Sequence, residues 1–197
     1  NREWSVYASY TDVFQPQSER DASGSVLNLT GGVVKNGTVA TFNGGGTINV
    51  NTVAISGSSA NSDLVIDGTT VNVDVASTYN GPTFIRNSGT LNANVTNALP
   101  TANGRTAVTF DGTGTSVLTL GAAQSVASLT SAGAATVTLG ANALTVGTST
   151  GSTTFAGTLT GTGGITKTGS GTLNLTGTNT YTGPTSVTGG RLAVNGS

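Results

Sequence analysis

The sequence predicts an all-β protein, a right-handed parallel β-helix of roughly eight coils, with a β-sandwich as the alternative. Three observations carry this. Apolar residues alternate over short runs in strand fashion, and no window repeats them at helical spacing. Gly, 30 residues of 197, recurs too often for helices. Only 5% of residues are aromatic. A sandwich of this length usually plants large rings in its core, whereas a narrow solenoid is filled by stacked small aliphatics.

Residues 1–24 differ from the rest. They hold six of the fifteen charged residues and four of the ten aromatics (Trp4, Tyr7, Tyr10, Phe14). Trp4–Thr11 reads as a strand with Trp4, Val6, Ala8 and Tyr10 on one face, broken at Gln15-Pro16. This segment is expected to cap the first coil or to lie disordered. From Ser25 to Ser197 the text is strand–turn–strand with almost no charge. Strands are expected at 26–30, 39–43, 47–55, 63–66, 70–75, 90–95 and 106–110. The series continues at 116–120, 135–139, 143–146, 153–160, 172–176 and 191–195. Two strands per coil of about 20 residues give a stack of about 40 Å at the ~4.8 Å spacing of paired strands. Thr78-Tyr79-Asn80-Gly81-Pro82-Thr83 recurs as Thr180-Tyr181-Thr182-Gly183-Pro184-Thr185, 102 residues later. Leu118, Leu120, Val137, Leu139, Leu144, Val146, Leu173 and Leu175 are expected inside, each stacked on like residues.

Chemistry is sparse. A net charge of −1 speaks against nucleic acid as a partner. With no Cys and no His, thiol chemistry, zinc sites and the usual triads are excluded. The absence of Met marks a processed or excised piece. Asp63, Asp67 and Asp74 fall within twelve residues, and stacked coils can bring carboxylates together for sugar cleavage or calcium. Asp67-Gly68 is a turn pair, however, and turn chemistry explains these residues more simply. Gly44-Gly45-Gly46 lacks the carboxylate of a calcium nonapeptide. Gly161–Gly164 lacks the Lys-Ser/Thr of a phosphate loop. The Asn-x-Ser/Thr triplets at Asn28, Asn36, Asn94 and Asn174 are what composition alone provides. Thr pairs (Thr136/Thr138, Thr158/Thr160, Thr166/Thr168, Thr178/Thr180) would order water and bind ice if arrayed on a flat face. Their uneven spacing favours ordinary exposed strand positions. No catalytic, cofactor-binding or metal-binding residue is therefore assigned, and no cofactor.

Gly161-Thr162-Gly163-Gly164-Ile165-Thr166-Lys167, Gly169-Ser170-Gly171-Thr172-Leu173, Asn179–Thr185 and Gly189-Gly190-Arg191-Leu192 resemble the autotransporter-associated β-strand repeat of type V secretion passenger domains. The resemblance covers residues 78–197 closely and 25–77 loosely. It implies a passenger scaffold at the Gram-negative cell surface, at the outer membrane or secreted, for adhesion or display and without catalysis. It also implies a C-terminal outer-membrane translocator barrel as partner, absent from this chain, and a host surface as a further one; the uncapped strand at Leu192–Ser197 is itself expected to self-associate through the solenoid edge. Trp4–Gln17 resembles a barrel strand and loop of TonB-dependent siderophore receptors, which makes part of such a receptor the alternative. A carbohydrate-active β-helix enzyme built on the three Asp residues is the second.

Overall fold

A computed structural model describes residues 6–7, 18–20, 26–29, 31–35, 37–57, 63–101, 105–147 and 150–196. Two short strands come first, β1 (Val6–Tyr7) and β2 (Ser18–Arg20). The first turn follows as β3 (Val26–Leu29), β4 (Val33–Val34) and β5 (Ala40–Phe42). The second is β6 (Thr47–Val50), β7 (Ile55–Ser56) and β8 (Leu64–Asp67). Two turns have only two strands: β9 (Thr70–Val73) with β10 (Thr83–Arg86), and β11 (Thr90–Ala93) with β12 (Ala107–Asp111). Three-stranded turns resume with β13 (Ser116–Leu120), β14 (Gln124–Val126) and β15 (Ser128–Ser131). Next are β16 (Ala135–Thr138), β17 (Leu144–Val146) and β18 (Thr153–Phe155), then β19 (Thr158–Thr160), β20 (Ile165–Lys167) and β21 (Thr172–Leu175). A last arc adds β22 (Thr185–Val187) and β23 (Arg191–Val194).

Strands stack coil on coil. The first face runs β3-β6-β9-β11-β13-β16-β19 and the second β5-β8-β10-β12-β15-β18-β21-β23, all parallel. The third face is discontinuous, with β4-β7 at one end and β14-β17-β20-β22 at the other. The fold is thus an all-β parallel solenoid of about seven turns. A sandwich is ruled out, because neighbouring strands are parallel and a whole coil apart in sequence. Coil length varies from 19 residues (Val117 to Thr136) to 27 (Thr90 to Val117) while strand register is kept. β2 lies antiparallel on β3, and β1 antiparallel on β5, so both long faces begin with an antiparallel strand.

The core is a set of vertical columns. On the first face Leu27, Ile48, Val71, Leu91, Leu118, Val137 and Leu159 follow one another in register, all buried. On the second face Phe110, Ser131 and Phe155 do the same. Ser131 is small enough to let the two rings approach across it, with centroids 5.8 Å apart in a tilted arrangement. All eight residues expected inside are buried. Two details differ: Val146 lies between Val126 and Lys167, and Leu173 between Thr153 and Leu192, so each has a like neighbour on one side only.

The third face also departs from the expected two strands per coil. The expected strand 47–55 is β6, a corner and the start of β7, and 153–160 divides into β18 and β19. Strands β4, β14, β20 and β22 of this face were not expected, nor were β10 and β15 on the second face or β2 before the first coil. In four of them the alternation is masked by a buried polar residue: Thr83, Gln124, Ser131 and Lys167. Each of these satisfies groups that a corner would otherwise strand. The Gln124 side chain accepts from Leu99 N–H (3.1 Å) and donates to Val95 O (2.7 Å). Ser131 Oγ accepts from Ala156 and Gly157 N–H, both at 3.0 Å.

Candidate functional site

The three candidate carboxylates flank strands and do not gather. Asp63 precedes β8 and Asp67 ends it, four residues of strand apart, about 13 Å at ~3.3 Å per residue. Asp74 follows β9 on the other long face. Each has its own partner. Asp67 accepts from Asn87 Nδ2 and Asp74 from Asn94 Nδ2, both at 2.7 Å and both one coil on. Asp63 faces the buried Lys35. Among the described residues no group of three or more His, Cys, Asp or Glu is placed to hold a metal ion. Gly44, Gly45 and Gly46 all have positive φ (104°, 72° and 75°) and form the corner between β5 and β6, which is a backbone requirement. Gly163 serves another corner, where a Cβ would overlap the carbonyl of Asn142. Asn36 of the triplets lies outside the described residues. So do residues 4–17, which carry the receptor resemblance, apart from Val6 and Tyr7 in β1.

The recurring Thr-Tyr-x-Gly-Pro-Thr motif has a common geometry. Tyr79 OH meets Thr83 Oγ1 at 2.6 Å, and Tyr181 OH meets Thr185 Oγ1 at 2.6 Å. The tyrosine ties down the start of the next strand. The first copy leads into β10 on the second face, and the second copy into β22 on the third. The repeat is therefore a strand–corner–strand unit that occupies different sides of the coil. In the first copy the hydroxyls are buried, and Thr83 continues to Thr106 Oγ1 at 3.0 Å, which reaches Gly81 O at 2.8 Å. Burial raises the Tyr79 pKa, only partly offset by those two threonines. Lys35 lies with Nζ 4.2 Å above the Tyr79 ring. Burial lowers its pKa to about 7, against the pull of Asp63.

The outward side of the first face is a different kind of surface. One column reads Val26, Thr47, Thr70, Thr90, Val117, Thr136, Thr158, and the next Asn28, Asn49, Asn72, Asn92, Thr119, Thr138, Thr160. The four asparagines form a ladder with Nδ2 to Oδ1 distances of 2.8, 2.7 and 2.7 Å. Beyond β19, Thr180 N–H donates to Leu159 O (2.9 Å) and Leu159 N–H donates to Asn179 Oδ1 (3.0 Å), so residues 178–180 pass beside β19 without adding a strand to the face. Two of the four Thr pairs, Thr136/Thr138 and Thr158/Thr160, thus stand on one face in register. Their uneven spacing in sequence reflects corner length alone. The fourth pair starts on the third face, where Thr166 stacks with Thr145 and Ser186.

Fold and surface together define a stacked-coil scaffold whose described polar groups are mostly engaged in holding its own corners. The family model of the passenger-associated-transport-repeat matches residues 74–93 and 165–194, about a quarter of the chain. The two matches are consistent with an autotransporter passenger repeat and point to an autotransporter passenger domain, a class that is secreted or displayed at the surface of Gram-negative cells. Each matched segment contains a tyrosine–threonine lock and the corner after it. No solved structure matches the chain.

Proposed function

We propose that this chain is a rigid, non-catalytic length of an autotransporter passenger, delivered through an outer-membrane translocator barrel and used for adhesion or display at the cell surface. The observation that supports it most is the coincidence of the repeat matches with tyrosine-locked corners of one continuous stack. Stacking suits emergence through a narrow pore, because each coil docks on the one before it and needs no distant partner. The individually paired positions of Asp67 and Asp74 support a role without catalysis.

The test is a surface-exposure assay on the full-length gene in a Gram-negative host. Protease added to intact cells should remove an epitope placed in the solenoid, and deleting the translocator should leave that epitope protected in the periplasm. An epitope that stays protected in intact cells carrying the whole protein would overturn the proposal.

A further inference from the structure

We infer that the third face carries a binding cleft for a carboxylate-bearing saccharide, in which Arg105 takes the carboxylate. The cleft exists because one coil breaks the repeat. The 27-residue coil from Thr90 to Val117 places most of its extra length between β11 and β12. That segment stands beside the outward side of β14 and β17 and forms with them a cleft of about 430 Å³. Small-molecule sites occupy roughly 300–1,000 Å³. The floor is Ser125 and Thr145, paired in register and flanked by Ala123 and Ala143. Thr96, Asn97 and Thr101 line the wall, and Arg105 is the one charged residue of the lining.

The wall is fixed from behind. Leu99 is buried, and the Gln124 amide holds both its N–H and the carbonyl of Val95. Ser77 N–H donates to Asn97 O at 2.9 Å. The side chains in front are left for a ligand. Thr101 Oγ1 donates to Asn97 Oδ1 (3.1 Å), and Asn97 Nδ2 has no partner among the described residues. Arg105 is half-buried, and only its Nη1 is engaged, with Gly147 O and Thr168 Oγ1 at 3.4 Å each. Among the described residues its Nε and Nη2 have no partner, and no carboxylate lies within salt-bridge distance of it. A planar fork of free N–H donors matches a carboxylate through two parallel hydrogen bonds.

The rest of the lining selects the ligand class. Four hydroxyls and one amide surround the guanidinium, and these pair with sugar hydroxyls. A peptide finds no large apolar side chain to pack on, and the floor is a strand face rather than an edge, so it offers no backbone pairing. A nucleic acid or a densely sulfated chain needs several cations, and the cleft has one. No aromatic ring lines the cleft for a sugar to stack on, so binding is weak and depends on the charged contact. The inference deepens the adhesion reading and rests on it. Binding in solution is measured without a cell, so either can fail alone.

The experiment titrates the purified, isotope-labelled 197-residue chain with a trisaccharide of galacturonic acid and follows backbone amide shifts by NMR. Saturable shifts are expected at Thr96, Asn97, Ser125 and Thr145. The same trisaccharide with its carboxyls reduced to alcohols should bind about tenfold more weakly. Arg105→Gln should weaken the acidic ligand by the same factor and leave the neutral one unchanged, so that the two losses do not add. Arg191→Gln, at an exposed cation elsewhere, should change neither. Thr145→Tyr fills the cleft without removing the guanidinium and should abolish binding. Thr145 faces outward, so this variant keeps the fold even where Arg105→Gln does not, and the amide spectrum of each checks this. No saturable shift in the parent chain would overturn the inference, as would undiminished affinity in a folded Arg105→Gln. Acetate binding as tightly as the trisaccharide would reduce the site to a carboxylate contact. Tighter binding of a short peptide through its terminal carboxylate would reassign the cleft, and either result overturns the saccharide.

Discussion

Lys35 is the residue at which burial and charge conflict most directly. The side chain is 1% exposed, yet it must carry or lose a proton inside the stack. Its pKa falls from 10.5 to about 7 on folding. The unfolded chain thus holds this proton up to about pH 10.5, and the folded chain only to about pH 7. Between those values the unfolded state binds more protons, so stability should rise with pH across that window and be flat in this respect below it. Urea unfolding at a series of pH values will show the slope, and Lys35→Met should remove it. A second prediction concerns the two tyrosine locks. Tyr79→Phe leaves the buried hydroxyls of Thr83 and Thr106 short of a partner and should cost about 1–3 kcal/mol. Tyr181→Phe breaks a pair that solvent can replace and should cost less than about 1 kcal/mol. Equal losses in urea midpoints would show that the two locks are not distinguished by burial.

Within the elements, stability comes from columns rather than from single strands. Leu118 sits between Leu91 and Val137 and is fully buried. Leu118→Ala should cost about 2–5 kcal/mol, with the higher end expected because neighbouring coils hold the cavity open. The asparagine ladder is a column on the outside. Asn72 donates to Asn49 and accepts from Asn92, so Asn72→Asp replaces a donor by a second acceptor facing Asn49 Oδ1. A loss of about 1–3 kcal/mol is expected at neutral pH, lessening as acid protonates the new carboxyl. Denaturation at two pH values separates this from a general loss of packing.

For the whole molecule the consequence is quasi-one-dimensional stability, with each coil resting on its neighbours. The outer edges of β22 and β23 have no strand partner among the described residues, and Val187 and Val194 are 50% and 56% exposed. A free parallel edge with exposed valines is a template for a further strand. The isolated 197-residue chain should therefore self-associate there, a second copy docking its own edge. Val194→Lys should shift sedimentation toward monomer. A chain that is monomeric at high concentration with or without the substitution would show the edge to be protected.

The sequence by itself determined the strand class, the stacked architecture and most of the core, because inward aliphatics in strands such as Thr172–Leu175 alternate with outward polar residues at a period set by the pleat. It also showed the repeat, since Thr-Tyr-x-Gly-Pro-Thr keeps its spelling in both copies. Of the third face only β17, expected at 143–146, and the start of β7 were legible. Its strands turn Gln124 and Lys167 inward to satisfy corner backbone groups, and a polar residue at an inward position looks the same in sequence as one at a turn. Nor could the sequence tell that Asp67 and Asp74 go to separate asparagines one coil on, or that Thr136/Thr138 and Thr158/Thr160 share a face. Corners absorb between-strand length without disturbing register, so distance along the chain carries no measure of height in the stack. Only the hydrogen bonds between coils decide which residue lies above which, and with that which side chains form a surface.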